Sequence, residues 1–195
     1  VAAALRAIIG LGNPGAQYAA TRHNAGFWFV DALADFAGVS LRDQPKFHGA
    51  LAKMPSADGE ILLLEPMTFM NDSGRAVQAL ATFYKLPPES LLVVHDELDL
   101  PAGTARLKRG GGHGGHNGLR SIQQHIGPEF ARLRIGIGHP GHRDRVLGYV
   151  LGRPGSEEHE AIGGAIRRAA EALDTLLAQG WDKAAQQLHT ESSPG

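Results

Sequence analysis

The chain has 195 residues, 43% of them hydrophobic and 20% charged, with 26 glycines, no cysteine and a formal net charge of -1. That length suffices for one domain with a buried core, and the missing cysteines exclude disulfide staples, thiolate catalysis and Cys-based zinc sites while fitting a reducing compartment. No apolar run approaches the ~20 residues of a membrane helix, and the opening VAAALRAIIG lacks the layout of a signal peptide; a cytoplasmic protein with no membrane partner is expected.

Apolar runs alternate with helical patterns, which predicts an α/β fold: a single domain over 1–195 with a twisted, mostly parallel (mixed) sheet and helices on both faces. Residues 7–11 read as a buried strand. Residues 25–38 place Phe27, Val30, Leu33, Ala34 and Ala37 at helical spacing and stop at Gly38. Strands follow at 49–53 and 60–65 around a turn at 55–59. Asn71, Asp72 and Ser73 then offer N-cap side chains to a helix with Ala76, Val77, Leu80, Ala81 and Tyr84 on its apolar face, ending before Pro87. A strand at 91–95 delivers Asp96 and Glu97, and one at 104–108 puts Arg106 and Lys108 on one face. The glycine-rich 110–118 is irregular and reads as a mobile wall or lid, with a helix re-forming near Asn117. A strand at 132–138, a loop at 139–145, helices at 157–179 and 183–188 and a frayed tail TESSPG complete the chain.

Charge is unevenly spread. Between Thr104 and Arg145 eight basic residues face two acidic ones, a net +6, so the remainder carries -7. Such asymmetry marks a nucleic-acid face or a solvated basic surface.

GLGNPG at 10–15 is a literal G-x-G-x-x-G, but a dinucleotide site needs those glycines to open a helix and an acidic residue at the end of the next strand. Here Pro14 interrupts the motif and Asp31 and Asp35 lie inside the first helix; no Gly-Lys-Ser/Thr supports a phosphate loop either. More informative are short polar clusters at the ends of apolar runs: Asn13, His23-Asn24, Asn71, His95-Asp96 and His113 to Asn117. Ligands of open α/β sheets sit where such loops gather. A His paired with a buried Asp is a general base of defined tautomer, and without a nucleophile elbow the attacker is water, with Asn side chains and backbone amides as oxyanion donors. That equipment suits hydrolysis of an activated ester. His113-x-x-His116 with His95 and Asp96 invites a metal, yet histidines in a loop containing six glycines lack a rigid scaffold; no metal and no cofactor are expected.

IIGLGNPGAQYAATRHNAGFWFVDALA, PMTFMNDSGRAV, VVHDELDLPAGTARLKRGGGHGGHNGLRSI and RLRIGIGHPG, in this order across residues 7–155, resemble the successive signature blocks of the bacterial peptidyl-tRNA hydrolase family. The resemblance implies a metal-independent enzyme that cleaves the ester between a peptide, or an N-blocked amino acid, and the 3′ end of tRNA, returning tRNA to translation. By the same resemblance His23 is the catalytic base, Asp96 its orienting carboxylate, and Asn13 and Asn71 hold the peptidyl part. Asn117 places water or substrate, Tyr18, Met70 and His116 belong to the substrate channel, and Lys108 and Arg134 meet the tRNA 5′ phosphate. A monomer is expected, and the weakly basic end QQLHTESSPG argues against further RNA contacts there. An RNA-binding protein on the same fold and a metal-assisted hydrolase are the competing readings.

Overall fold

The computed structural model describes residues 4–191. Seven strands form one sheet: β1 (Ala7–Gly10), β2 (Arg42–Gln44), β3 (Gly49–Ser56), β4 (Gly59–Pro66), β5 (Leu91–Glu97), β6 (Ala105–Arg109) and β7 (Ala131–Gly136), in the order β2-β3-β4-β1-β5-β7-β6. The central four, β4, β1, β5 and β7, run parallel, and antiparallel pairing at β3–β4, β2–β3 and β6–β7 completes the margins. Residues 7–9 of β1, 61–64 of β4 and 91–94 of β5 form continuous apolar runs because both faces of the sheet are covered, and polar residues gather at the carboxyl ends of β4 and β5. On one face Ile8, Leu63, Leu92, Val94 and Leu133 pack against α1 (Ala25–Ala37), α4 (Val146–Val150), α5 (Ser156–Gln179) and α6 (Trp181–Glu191). On the other, Ile9, Leu62, Leu64 and Val93 meet α2 (Ser73–Tyr84) and α3 (Asn117–Ile126).

Departures from the sequence expectation have local causes. Pro55 lies inside β3 rather than in a turn: β2 pairs only with Gly49–Leu51, so beyond Leu51 that strand is an edge, where a residue without an N–H is tolerated. The three polar residues of β2 and the five of α4 are too short to show any periodicity. Helix α6 starts earlier and runs longer than 183–188, taking in Thr190 and Glu191 of the segment expected to fray; residues 192–195, like 1–3 of the N-terminal stretch, lie outside the described residues.

One feature of the first turn of α1 places the site. A Cβ on Gly26 would come within 2.4 Å of Leu11 N and Val94 O, and one on Gly10 within 2.3 Å of Gly26 O. Glycine at both positions lets helix backbone rest directly on the tips of β1 and β5, which brings the residues just ahead of α1 against the ends of those strands.

An acid pair joins α1 to β4, the buried Glu65 meeting the exposed Asp31. Burial first, and then Asp31, push the Glu65 carboxyl up to about 10, so it holds a proton at neutral pH. A folded-state pKa raised above the unfolded ~4.3 stabilises fully below that value and less as pH climbs toward about 10. Thermal melts between pH 5 and 9 are expected to show Tm declining in the native chain but nearly level in Glu65→Gln. The two curves should diverge by at least ~2–4 °C, the effect of ~1 kcal/mol in a protein of this size; parallel curves would refute the protonated pair.

Candidate active site

The polar clusters converge at the carboxyl ends of the central strands: Asn13 just after β1, Met70 and Asn71 in a 3-10 turn after β4, Asp96 near the end of β5, His23 in the 3-10 turn ahead of α1, and His116 and Asn117 opening α3. At the centre Asp96, whose side chain is 2% exposed, accepts two hydrogen bonds, one per oxygen. His23 Nδ1 donates to Oδ2 at 2.9 Å and His116 Nε2 to Oδ1 at 2.8 Å. The two imidazole rings are 5.0 Å apart.

The α3 backbone fixes the tautomer of His116, and the Asp96 carboxylate that of His23. His116 caps α3: its Nδ1 accepts from Gly118 N at 3.1 Å and Leu119 N at 3.4 Å, so the proton sits on Nε2 and points at Asp96. Both nitrogens of His116, expected from the sequence to meet substrate, are therefore committed. His23 uses only Nδ1, and among the described residues nothing hydrogen-bonds its Nε2. Burial alone would raise the Asp96 carboxyl, but the two imidazoles hold it far below the ordinary carboxylate range. Burial alone would likewise lower His23, and the Asp96 carboxylate more than offsets this, leaving the ring above its ordinary value. The result is an ionised carboxylate holding one histidine as scaffold and one with a free basic nitrogen.

Asn24 stitches this centre to the first strand. Its Oδ1 accepts from Asn13 N at 2.9 Å and its Nδ2 donates to Asn13 O at 3.0 Å, both buried. Asn13 in turn accepts from Met70 N through Oδ1 at 2.7 Å, which fixes its amide and leaves Nδ2 as a donor. Met70 is buried, and Asn71 and Asn117 are exposed. Tyr18 is half-buried, edge-on to the exposed Phe69 at 6.3 Å. The glycine loop is tied at its start by Arg132, whose Nη2 donates to Gly111 O at 2.8 Å, and at its end by the His116 cap.

Among the described residues neither Lys108 nor Arg134 hydrogen-bonds His23 or His116. The β6–β7 register pairs Arg106 with Arg134 and Lys108 with Arg132, so all four stand on one face of the sheet. Arg132 is buried and structural, whereas Lys108 is exposed. Arg134 Nε donates to Glu97 Oε1 at 2.8 Å, directing the guanidinium beside β5. This hydrogen bond keeps the Glu97 carboxyl low against the opposing effect of its burial. His95, register partner of Arg134, is 2% exposed, and burial together with the neighbouring His116 pushes it down to about 4, a neutral ring unsuited to serve as the base. A cavity of about 1290 Å³ between Phe36, Ile61 and Trp181 is at the amino ends of the strands, away from this chemistry.

The peptidyl-tRNA hydrolase family profile matches residues 7–194. The chain belongs to the peptidyl-tRNA hydrolase family. It is 58% identical over 185 residues to the peptidyl-tRNA hydrolase of Halorhodospira halophila, covering 94% of this chain and 95% of that one, and 54% identical over 187 residues to that of Edwardsiella ictaluri, covering 95% of each. The crystal structure of the Acinetobacter baumannii peptidyl-tRNA hydrolase superimposes with a TM-score of 0.91 at 52% identity, covering 95% of this chain and 94% of that one. Membership agrees with the α/β sheet and with the resemblance carried by the signature blocks. Sequence patterning left Asn24 and Glu97 without a role and passed over Arg22: their signal is purely tertiary, a reciprocal amide pair and two ion pairs between distant segments.

Proposed function

We propose that this chain hydrolyses peptidyl-tRNA at the ester joining the peptide to the terminal ribose, and that His23, Asp96 and Asn13 perform the chemistry. The single observation that carries this reading is the free Nε2 of His23, held by an Asp96 whose other oxygen is occupied by His116. His23 Nε2 takes a proton from water as its oxygen bonds to the ester carbonyl carbon. Positive charge on the ring is stabilised by Asp96, and the Asn13 Nδ2 is the available donor to the oxyanion. Collapse breaks the carbon–oxygen bond to the ribose, and the proton on Nε2 passes to the departing hydroxyl. Free peptide and tRNA result, with His23 neutral again.

Asn71 and Asn117, exposed at the rims, suit peptide-backbone amides and disregard side chains. Tyr18, Met70 and Phe69 provide the apolar lining between them. Lys108 and Arg134, the latter aligned by Glu97 with its terminal nitrogens left for an anion, suit the tRNA 5′ phosphate; such backbone recognition carries little base readout and suits many tRNAs. His116 acts here by orienting Asp96 rather than by touching substrate. We read the chain as one catalytic domain working as a monomer in the cytoplasm. Among the described residues no helix is long and apolar enough to cross a membrane.

His23, Asp96 and His116 also hold ligand atoms within 4.8 Å of one another. Their inward lone pairs and protons already satisfy each other, so a cation entering here must break two short hydrogen bonds and deprotonate the capping His116. The test is cleavage of an N-blocked aminoacyl-tRNA beside its unblocked counterpart, with and without chelator. Strong preference for the blocked substrate and an unchanged rate after chelation are expected. Tight tRNA binding without cleavage would favour the RNA-binding reading, and a rate lost to chelator and restored by a divalent ion the metal reading.

A further inference from the structure

Arg22, directly ahead of His23, is 8% exposed and is held more tightly than a surface-loop cation requires. Its Nε and Nη2 donate to the two carboxylate oxygens of Glu158, at 3.1 and 3.2 Å, in a bidentate pair with the first turn of α5. Its Nη1 donates to Tyr149 O at 3.0 Å, and the guanidinium lies 3.9 Å above the Tyr149 ring centre. Its backbone N–H donates to Gly152 O at 2.9 Å. A Cβ at Gly152 would stand 3.1 Å from Nη1, so the glycine makes room for this approach. Tyr149 is itself anchored, its hydroxyl donating to Ile137 O just beyond β7. Each of the three guanidinium nitrogens and the backbone N–H has a defined acceptor, and all of those acceptors come from the segment 149–158.

The residue after His23 is anchored just as firmly, since Asn24 is 1% exposed and sewn to Asn13. The 3-10 turn Arg22–Asn24 therefore consists of two buried anchors flanking one side chain that reaches the site. One anchor belongs to the β1 loop and the other to α4 and α5. A ring projecting from a short turn is aimed by the direction of its own Cα–Cβ bond, which the flanking peptide planes set.

We propose that Arg22, with Glu158, Tyr149 and Gly152 as its socket, is a positioning residue for the reaction: it fixes the His23 backbone so that Nδ1 stays on Asp96 and Nε2 faces the ester. This rests on the reading of His23 as the base. The effect is geometric, because Arg22 is not among the charges that move the His23 pKa. A shift of ~1 Å in a catalytic group is enough to cost up to ~100-fold in rate, and a guanidinium can satisfy two partners and a ring at once where an ammonium cannot.

The experiment uses Arg22→Gln and, as a variant that leaves the arginine in place, Glu158→Gln on the outer surface of α5. For each, His23 titration is followed by NMR and kcat and KM are measured on an N-blocked aminoacyl-tRNA, with a thermal melt as the check on folding. With the clamp loosened, the His23 pKa should fall toward its ordinary value, kcat should drop ~10- to 100-fold for Arg22→Gln and less for Glu158→Gln, and KM should stay within about two-fold. An unshifted His23 titration in folded protein overturns the proposal, whether kcat is unchanged or falls only in step with Tm. A shifted titration with undiminished kcat upholds the clamp and instead refutes His23 as the base.

Discussion

His23→Ala is expected to lower kcat by ~10²–10⁴-fold, the contribution of a positioned general base, while KM on an N-blocked aminoacyl-tRNA stays within a few-fold. The split follows from where binding and chemistry reside. His23 offers only Nε2 to the site, whereas the groups assigned to binding, the exposed Asn71 and Asn117 and the basic face that carries Lys108 and Arg134, belong to other elements. Its removal leaves Asp96 with His116 as partner, so the buried carboxylate keeps one of its two hydrogen bonds and the fold should survive. Single-turnover cleavage monitored by release of the blocked amino acid is the measurement. A rate within a few-fold of the unaltered chain would remove His23 from the mechanism.

Asp96→Asn is expected to cost as much or more, ~10³–10⁴-fold in kcat, for a different reason. The carboxylate faces two N–H donors, one from each imidazole. An amide has one oxygen to offer and turns an NH2 toward the other ring. His116 is bound by its cap to keep its proton on Nε2 and so claims the oxygen; His23 then meets a donor and shifts its proton to Nε2, where it can no longer accept one from water. A wrongly protonated base of this kind costs ~10⁴ in other His–Asp enzymes. The pH dependence carries a second signature. In the unaltered chain activity rises with pH as His23 loses its proton, through a pKa held above 6.5 by Asp96. Removing the negative charge lowers that pKa, so the residual activity of Asp96→Asn should reach its plateau at lower pH. An acid limb in the same place in both proteins would show that Asp96 does not act on the base.

The elements along the chain were legible wherever periodicity was strong. Buried strands at β1, β4 and β5 and the apolar stripes of α1, α2 and α5 emerge from spacing alone, because a sheet covered on both faces demands continuous apolar strands and a surface helix demands one apolar side. Short or edge elements, β2 and α4 among them, were not legible, since three to five residues contain no full period. His23, Asp96 and Asn13 were legible as polar residues at the ends of apolar runs, and the signature blocks named their family. Arg22, Asn24 and Glu97 are no less embedded in the site, but their place in the chain, beside His23 and Asp96, does not reveal which distant groups they bind.

GLGNPG illustrates the division most clearly. The sequence by itself excluded a dinucleotide cradle, through Pro14 and the missing acidic residue, and presented Asn13 as the polar residue after a strand. Only the tertiary structure decided what its glycines are for: Gly10 admits the backbone of α1 at a distance no side chain permits, and that approach sets His23 over Asp96. Residue type and spacing determine which groups are present, at which strand ends, and in which compositional setting. Which nitrogen of which histidine is free depends on hydrogen bonds between segments 20 to 73 residues apart, formed only when the sheet is assembled.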